Sequence, residues 1–153
     1  MKKRRVSKQI EIGGVKIGGD APVSVQSMTK TDTRDVEATV KQIRGLEEVG
    51  CEIVRCAVPD IQAARALLDI VNQVNIPVVA DIHFHHQLAL EALKSGVHCL
   101  RLNPGNIRDQ SKVESIVREA RARNVPIRIG VNFGSLPPVG SIGVTGGLSR
   151  HTD

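Results

Sequence analysis

The sequence has no Trp, no Tyr and two Phe (Phe84 and Phe133). Recognition of single-stranded nucleic acid by base stacking needs such rings, so that class of function is excluded. The chain also lacks a distributed basic surface. Its net charge of +5 sits at the start, where Lys2, Lys3, Arg4, Arg5 and Lys8 precede the first acid. Beyond them, sixteen cationic groups face the same number of acids, too balanced to coat a phosphate backbone. No apolar run approaches the ~20 residues of a membrane span, and no apolar segment follows the basic start as a secretory signal requires. A cytoplasmic chain is expected, with no nucleic-acid or membrane partner. Cysteine is scarce: Cys51, Cys56 and Cys99 lack CxxC spacing and lie in apolar segments, as buried free thiols do. Two phosphate-binding signatures are missing as well, GxGxxG and GxxxxGK[ST].

What is present is a rhythm. Short apolar runs recur at Val23–Val25, Ile53–Val58, Val78–Ile82, Cys99–Leu102 and Ile127–Val131, and a segment of helical period fills each interval. Val36, Val40, Ile43, Leu46 and Val49 form the first such stripe, with Asp35 to cap it and Gly50 to end it. Ala64, Leu67, Leu68, Val71 and Val74 follow Asp60. Leu88, Ala89, Ala92 and Leu93 stop at Gly96, and Val113, Ile116, Val117 and Ala120 close at Asn124-Val125-Pro126. Apolar strands joined by single helices predict an α/β fold with a parallel sheet. Without a Gly-rich turn after the first strand, a (β/α)8 TIM barrel is favoured over a dinucleotide-binding sheet. Five βα units cannot close eight, so the expected fold is an incomplete barrel over residues 10–134. Ile10–Ile12 and Val15–Ile17 around Gly13-Gly14 predict a hairpin ahead of it, able to cover the barrel bottom. Residues 1–9 read as a basic tail and 135–153 as a loop or coil tail. The last apolar run is expected at an open sheet edge, which invites self-association.

Polar residues interrupt the strands near their C-terminal ends. Asp81 and His83 share a side of their strand; Arg101 and Asn103 repeat that spacing, as do Arg128, Gly130 and Asn132, while Arg55 lies within the second run. In a barrel they converge on the mouth, where active sites of this fold lie. Arginine forks match phosphate oxygens two at a time, so an anion of more than one charge is implied. Asn103 and Asn132 are candidate amide donors. Asp81 is placed to neutralise an arginine, orient His83 or bind a hydroxyl, and His83 to position a ligand or move a proton. The plainer reading of Arg55 or Arg101 is a structural ion pair with Asp81. His85 and His86 begin a helix and read as exposed or capping; His98 reads as solvated. Gln26, Ser27, Met28 and Thr29 lie at the same mouth.

Val25–Thr29, Asp35–Val40, Val79–Phe84, Leu100–Ile107 and Pro126–Asn132 resemble the N-terminal half of the 4-hydroxy-3-methylbut-2-en-1-yl diphosphate synthase family, across about residues 10–136. The resemblance implies a reductase of the methylerythritol phosphate route to isoprenoids. Such an enzyme converts 2-C-methyl-D-erythritol 2,4-cyclodiphosphate to the linear allylic diphosphate, using electrons from flavodoxin or ferredoxin. It implies substrate contacts at Arg55, Asp81, His83, Arg101, Asn103, Arg128 and Asn132. It also implies a [4Fe–4S] cluster in a C-terminal domain that has no counterpart here; Cys51, Cys56 and Cys99 do not match its ligands. A chain that binds the diphosphate but does not turn it over alone is expected. The alternatives are a non-catalytic diphosphate-binding half-barrel and a pterin-type TIM-barrel transferase.

Overall fold

A computed structural model describes residues 5–83, 85–103, 107 and 109–130. A hairpin comes first, β1 (Ile10–Ile12) and β2 (Val15–Ile17), paired antiparallel with Ile12 opposite Val15. Its two-residue loop needs positive φ at both positions, and Gly13 (φ 52°) and Gly14 (φ 91°) supply it. Five strands follow: β3 (Gln26–Met28), β4 (Ile53–Ala57), β5 (Val78–Ile82), β6 (Cys99–Leu102) and β7 (Ile127–Ile129). They pair in parallel and in chain order. Between them run α1 (Val36–Glu48), α2 (Ile61–Val71), α3 (His86–Lys94) and α4 (Gln110–Ala122).

The helices begin where their caps are. Ala38 N donates to Asp35 Oδ1 at 3.0 Å, Ala63 N to Asp60 Oδ1 at 2.8 Å, and Ser111 N to Asp109 Oδ1 at 3.0 Å. Their apolar stripes pack on one face of the sheet. Val54, Cys56, Ile82 and Leu100 meet Leu67, Ile70, Leu93 and Ile116 there in one buried core. Each such aliphatic side chain stabilises the fold by about 1.5–3 kcal/mol through burial.

Among the described residues, the opposite face carries no helix. At its lower end, the N-terminal ends of the strands, Ile12 is buried against Ile53, Val79 and Cys99, with Val15 and Ile17 alongside. The hairpin thus covers the barrel bottom. It seats closely: a Cβ on Gly13 would stand 2.7 Å from His98 Cδ2 and 2.8 Å from Pro77 Cγ. His98, expected in solvent, is half-buried, accepts from Val78 N at 3.2 Å, and has its pKa lowered by that burial.

One strand falls elsewhere than expected. The apolar run Val23–Val25 is not the first strand; pairing starts at Gln26, opposite Ile53. Val23 is 81% exposed and Val25 55%. A strand exists only where its neighbour can pair, and β4 begins at Ile53. Val25 O still accepts from Glu52 N and Ile53 N, whereas Val23 lies beyond the end of the ladder. At the other edge, Ile129 on β7 is 72% exposed where another βα unit of a barrel would lie. Among the described residues, five strands with two open edges form part of a TIM barrel. The expected tail at 135–153 lies outside the described residues.

Candidate functional site

Strand alternation puts Gln26, Met28, Ile53, Arg55, Ala57, Val79, Asp81, Cys99, Arg101 and Arg128 on the helix-free face. Above the apolar layer under which the hairpin sits comes a charged one. Asp81 is its centre and is 2% exposed. Arg101 Nη1, from β6, donates to Asp81 Oδ1 at 3.0 Å. Arg55 Nε, from β4, lies 3.3 Å from Oδ2, and His83 Nε2 lies 3.4 Å from that same oxygen. A buried carboxylate is tolerable only with such compensation, and the three groups come from β4, β6 and the residue just after β5.

The arginines differ in how they are held. Arg101 is 7% exposed and also donates through Nη2 to Gly130 O at 3.1 Å. Arg55 is held loosely. Among the described residues, its Nε stands near Asp81 Oδ2 without hydrogen-bond geometry and is a buried donor with no acceptor, while Nη2 reaches only Met28 Sδ at 3.2 Å. A thioether is a weak acceptor, so Arg55 retains most of its donor capacity. Arg128 has no acid partner among the described residues. Its Nη1 donates to Gln26 Oε1 at 2.5 Å, across 102 residues of sequence.

That last contact joins the two edge strands, β3 and β7, so the sheet curls and its helix-free face is concave. Arg101 and Arg128 are direct cross-strand partners, a like-charge pair that is unfavourable unless an anion offsets it. Their guanidinium groups turn apart, one toward Asp81 and the other toward Gln26. Among the described residues of this face, three arginines stand against one carboxylate, leaving two uncompensated positive charges.

His83 and Asn103 follow β5 and β6 at the mouth; Asn103 is buried, and His83 has 41% of its side chain exposed. A cavity of about 270 Å³ beside His83 is lined by Ala57, Val58, Pro59, His85 and Leu88. The loop after β3 is fastened at the rim by Thr33 Oγ1, which donates to Ala57 O at 2.7 Å. There, too, Arg34 bridges Asp32 and Asp60, and its hydrogen bond to the exposed Asp32 holds that carboxyl down at about 2. His85 precedes α3 without a side-chain cap bond.

Of the seven residues expected at the mouth, Arg55, Asp81, His83, Arg101, Asn103 and Arg128 lie on this face or at its upper rim. Asn132 lies outside the described residues. Gln26 and Met28 hold two of the arginines, and only their place after the first apolar run hinted at it. The ion pair of Asp81 with Arg101 and Arg55 shows that structural pairing and a converging cationic face coexist.

The three cysteines do not fit an iron–sulfur cluster. Cys56 faces the helices, Cys99 faces the hairpin, and Cys51 donates its S–H to Ile53 O at 3.1 Å. Burial pushes the Cys56 and Cys99 thiols up to about 11, away from the thiolate a metal requires. Among the described residues, no group of three or more His, Cys, Asp or Glu is arranged to hold a metal ion. No helix among them is long and apolar enough to cross a membrane.

The family model described as the GcpE TIM-barrel domain matches residues 7–141. A protein of Dehalococcoides mccartyi named 4-hydroxy-3-methylbut-2-en-1-yl diphosphate synthase (flavodoxin) is 60% identical over 134 residues, 88% of this chain and 38% of that protein. Proteins with the same name are 59% identical over 137 residues in Thermodesulfovibrio yellowstonii and 56% over 133 in Clostridium perfringens. They are covered to 39% and 38% of their lengths, so the chain spans under two-fifths of the relatives it matches. Among solved structures, dihydropteroate synthase from Xanthomonas albilineans aligns with a TM-score of 0.59 at 20% identity, over 79% of this chain and 48% of that one. A dipeptide epimerase from Enterococcus faecalis aligns with a TM-score of 0.56 at 22% identity, over 72% and 32%. At such identities the likeness is one of fold alone, and it gives the pterin-type alternative no functional support.

Proposed function

The chain belongs to the GcpE TIM-barrel family, and from that membership we propose that it is the substrate-holding portion of a 4-hydroxy-3-methylbut-2-en-1-yl diphosphate synthase. Its ligand on this reading is 2-C-methyl-D-erythritol 2,4-cyclodiphosphate, which the whole enzyme reduces and opens to the linear allylic diphosphate. The observation that carries the reading is the surplus of two positive charges on the concave face, with Arg128 lacking an acid partner among the described residues and Arg55 Nε lacking an acceptor. A diphosphate supplies two or more negative charges and oxygens enough for several guanidinium forks.

The chain's residues would then divide the work as follows. Arg101, fixed by Asp81 and Gly130 O, offers its remaining donors in a set direction, while Arg55 and Arg128 exchange weak or neutral partners for diphosphate oxygens. Asp81 acts as the anchor that aligns cations and does not itself face the anion, since two like-charged groups in one dry site repel. Asn103 adds an amide donor. His83 stands at the rim, within reach of the ring oxygens and of Asp81, as the group able to hold or pass a proton. The apolar cavity beside it suits the carbon portion of the ligand.

The reducing centre lies outside these residues on this reading, because the three cysteines are separated and burial holds Cys56 and Cys99 away from the thiolate form. Flavodoxin, part of the relatives' names, is the electron donor we propose for the whole enzyme. The test is an anaerobic assay of this 153-residue chain alone and then with the remaining portion of a relative supplied in trans. Turnover only in the second arm is expected. Turnover by the chain alone would contradict the division of labour. Tight binding without turnover in either arm would favour a purely diphosphate-binding half-barrel instead.

A further inference from the structure

We propose that Gln26 is a positioning and recognition residue of the anion site, aiming Arg128 without neutralising it while adding its own amide N–H groups to the diphosphate. This rests on the diphosphate-binding reading above and names a residue that the arginine pattern does not reveal. β3 and β7 are the two ends of the five-stranded sheet, yet Arg128 Nη1 and Gln26 Oε1 meet at 2.5 Å. A guanidinium has only donors, so the atom that faces it must be the amide oxygen. The amide nitrogen therefore points elsewhere, with two N–H groups that find no partner among the described residues.

The neutrality of the partner matters. Asp81 fixes Arg101 with a full negative charge, which cancels much of the field that cation could offer a ligand. Gln26 fixes Arg128 with a dipole and leaves its charge uncompensated. A Glu at this position would hold Arg128 equally well and remove half of the face's surplus charge. The site thus contains one arginine pinned by a carboxylate and one steered by an amide. Only the second is poised to trade its present partner for phosphate oxygen without exposing a buried anion.

The experiment is calorimetric titration of the chain with inorganic diphosphate and with the cyclodiphosphate, for the parent and for Gln26→Met, Gln26→Glu, Arg128→Ala and Gln26→Met/Arg128→Ala. Gln26→Met keeps the side-chain length and removes both the acceptor and the donors. It is expected to weaken binding about tenfold, the scale of one charge-assisted hydrogen bond. Gln26→Glu is expected to weaken binding more than Gln26→Met, because its carboxylate neutralises Arg128. In the Arg128→Ala background, Gln26→Met should lose only the share carried by its own N–H groups, less than it loses in the parent. Thermal melts of the folded variants control for damage to the barrel; if Gln26→Glu does not fold, Gln26→Met and the double-variant comparison decide. Parent-like affinity in Gln26→Met, or an equal loss with and without Arg128, would overturn the role given to Gln26 and leave the site reading standing. Failure of the parent to bind either probe would overturn both.

Discussion

Arg101 and Gly130 lie so close that a Cβ on Gly130 would stand 2.5 Å from Arg101 Nε and 2.9 Å from Nη2. Gly130 O meanwhile accepts from that same Nη2 at 3.1 Å. The glycine just after β7 therefore makes room for the guanidinium from β6 and helps to hold it. Gly130→Ala should push Arg101 off Asp81 while leaving the helix-facing core alone. The expected result is affinity for inorganic diphosphate reduced about tenfold, consistent with one displaced charge-assisted contact. Urea unfolding should change by much less than removal of Asp81 causes.

Asp81 should be the costliest single polar residue of the face. Asp81→Asn keeps the shape and removes the one carboxylate among three arginines. Breaking a buried pair of this kind costs about 3–5 kcal/mol, with the lower end apt here because Arg55 retains some contact with water. Urea unfolding should report the loss, and added inorganic diphosphate should restore part of it by binding the folded form.

The layers of the concave face should be separable. Ile12 is 2% exposed and packs on Ile53, Val79 and Cys99 beneath the charged layer. Ile12→Ala should destabilise the chain by about 2–4 kcal/mol through the cavity it leaves. Diphosphate affinity of the folded fraction should stay within about twofold of the parent, since no arginine partner is touched. A calorimetric titration at a temperature where the variant is folded distinguishes the two effects.

Much of this architecture was legible from the chain. Asp35 and Asp60 cap the first two helices as read, and the Val78–Ile82 and Cys99–Leu102 runs are strands at those bounds. Local chemistry fixes such features, so local reading finds them. The first strand was misplaced because hydrophobicity marks Val23–Val25 while pairing to β4 selects Gln26–Met28, a decision made 27 residues away. The arginine mouth was legible because charges at period two inside apolar strands have few explanations. The partners were not. Nothing near Gln26 in sequence marks it as the group that meets Arg128, and that contact exists only because the sheet curls.

Cys56 and Cys99, pushed up to about 11 by burial, give an alkaline prediction. The unfolded chain ionises these thiols near 9 and the folded chain does not, so their contribution to stability is fully present below about pH 9 and is lost between there and about pH 11. Urea unfolding across that range should show the decline, and the double variant Cys56→Val/Cys99→Val should flatten it. Both native thiols should resist a disulfide reagent at pH 8 and react on unfolding.

The most direct test of the account is titration of the parent, Arg101→Ala and Arg128→Ala with the cyclodiphosphate at low and moderate salt. One site is expected in the parent. Affinity should be lower by at least about tenfold in each variant, the scale for loss of a charge-assisted contact, with a weaker dependence on salt in both. Affinity and salt dependence unchanged by either substitution would contradict a concave face built to hold a diphosphate.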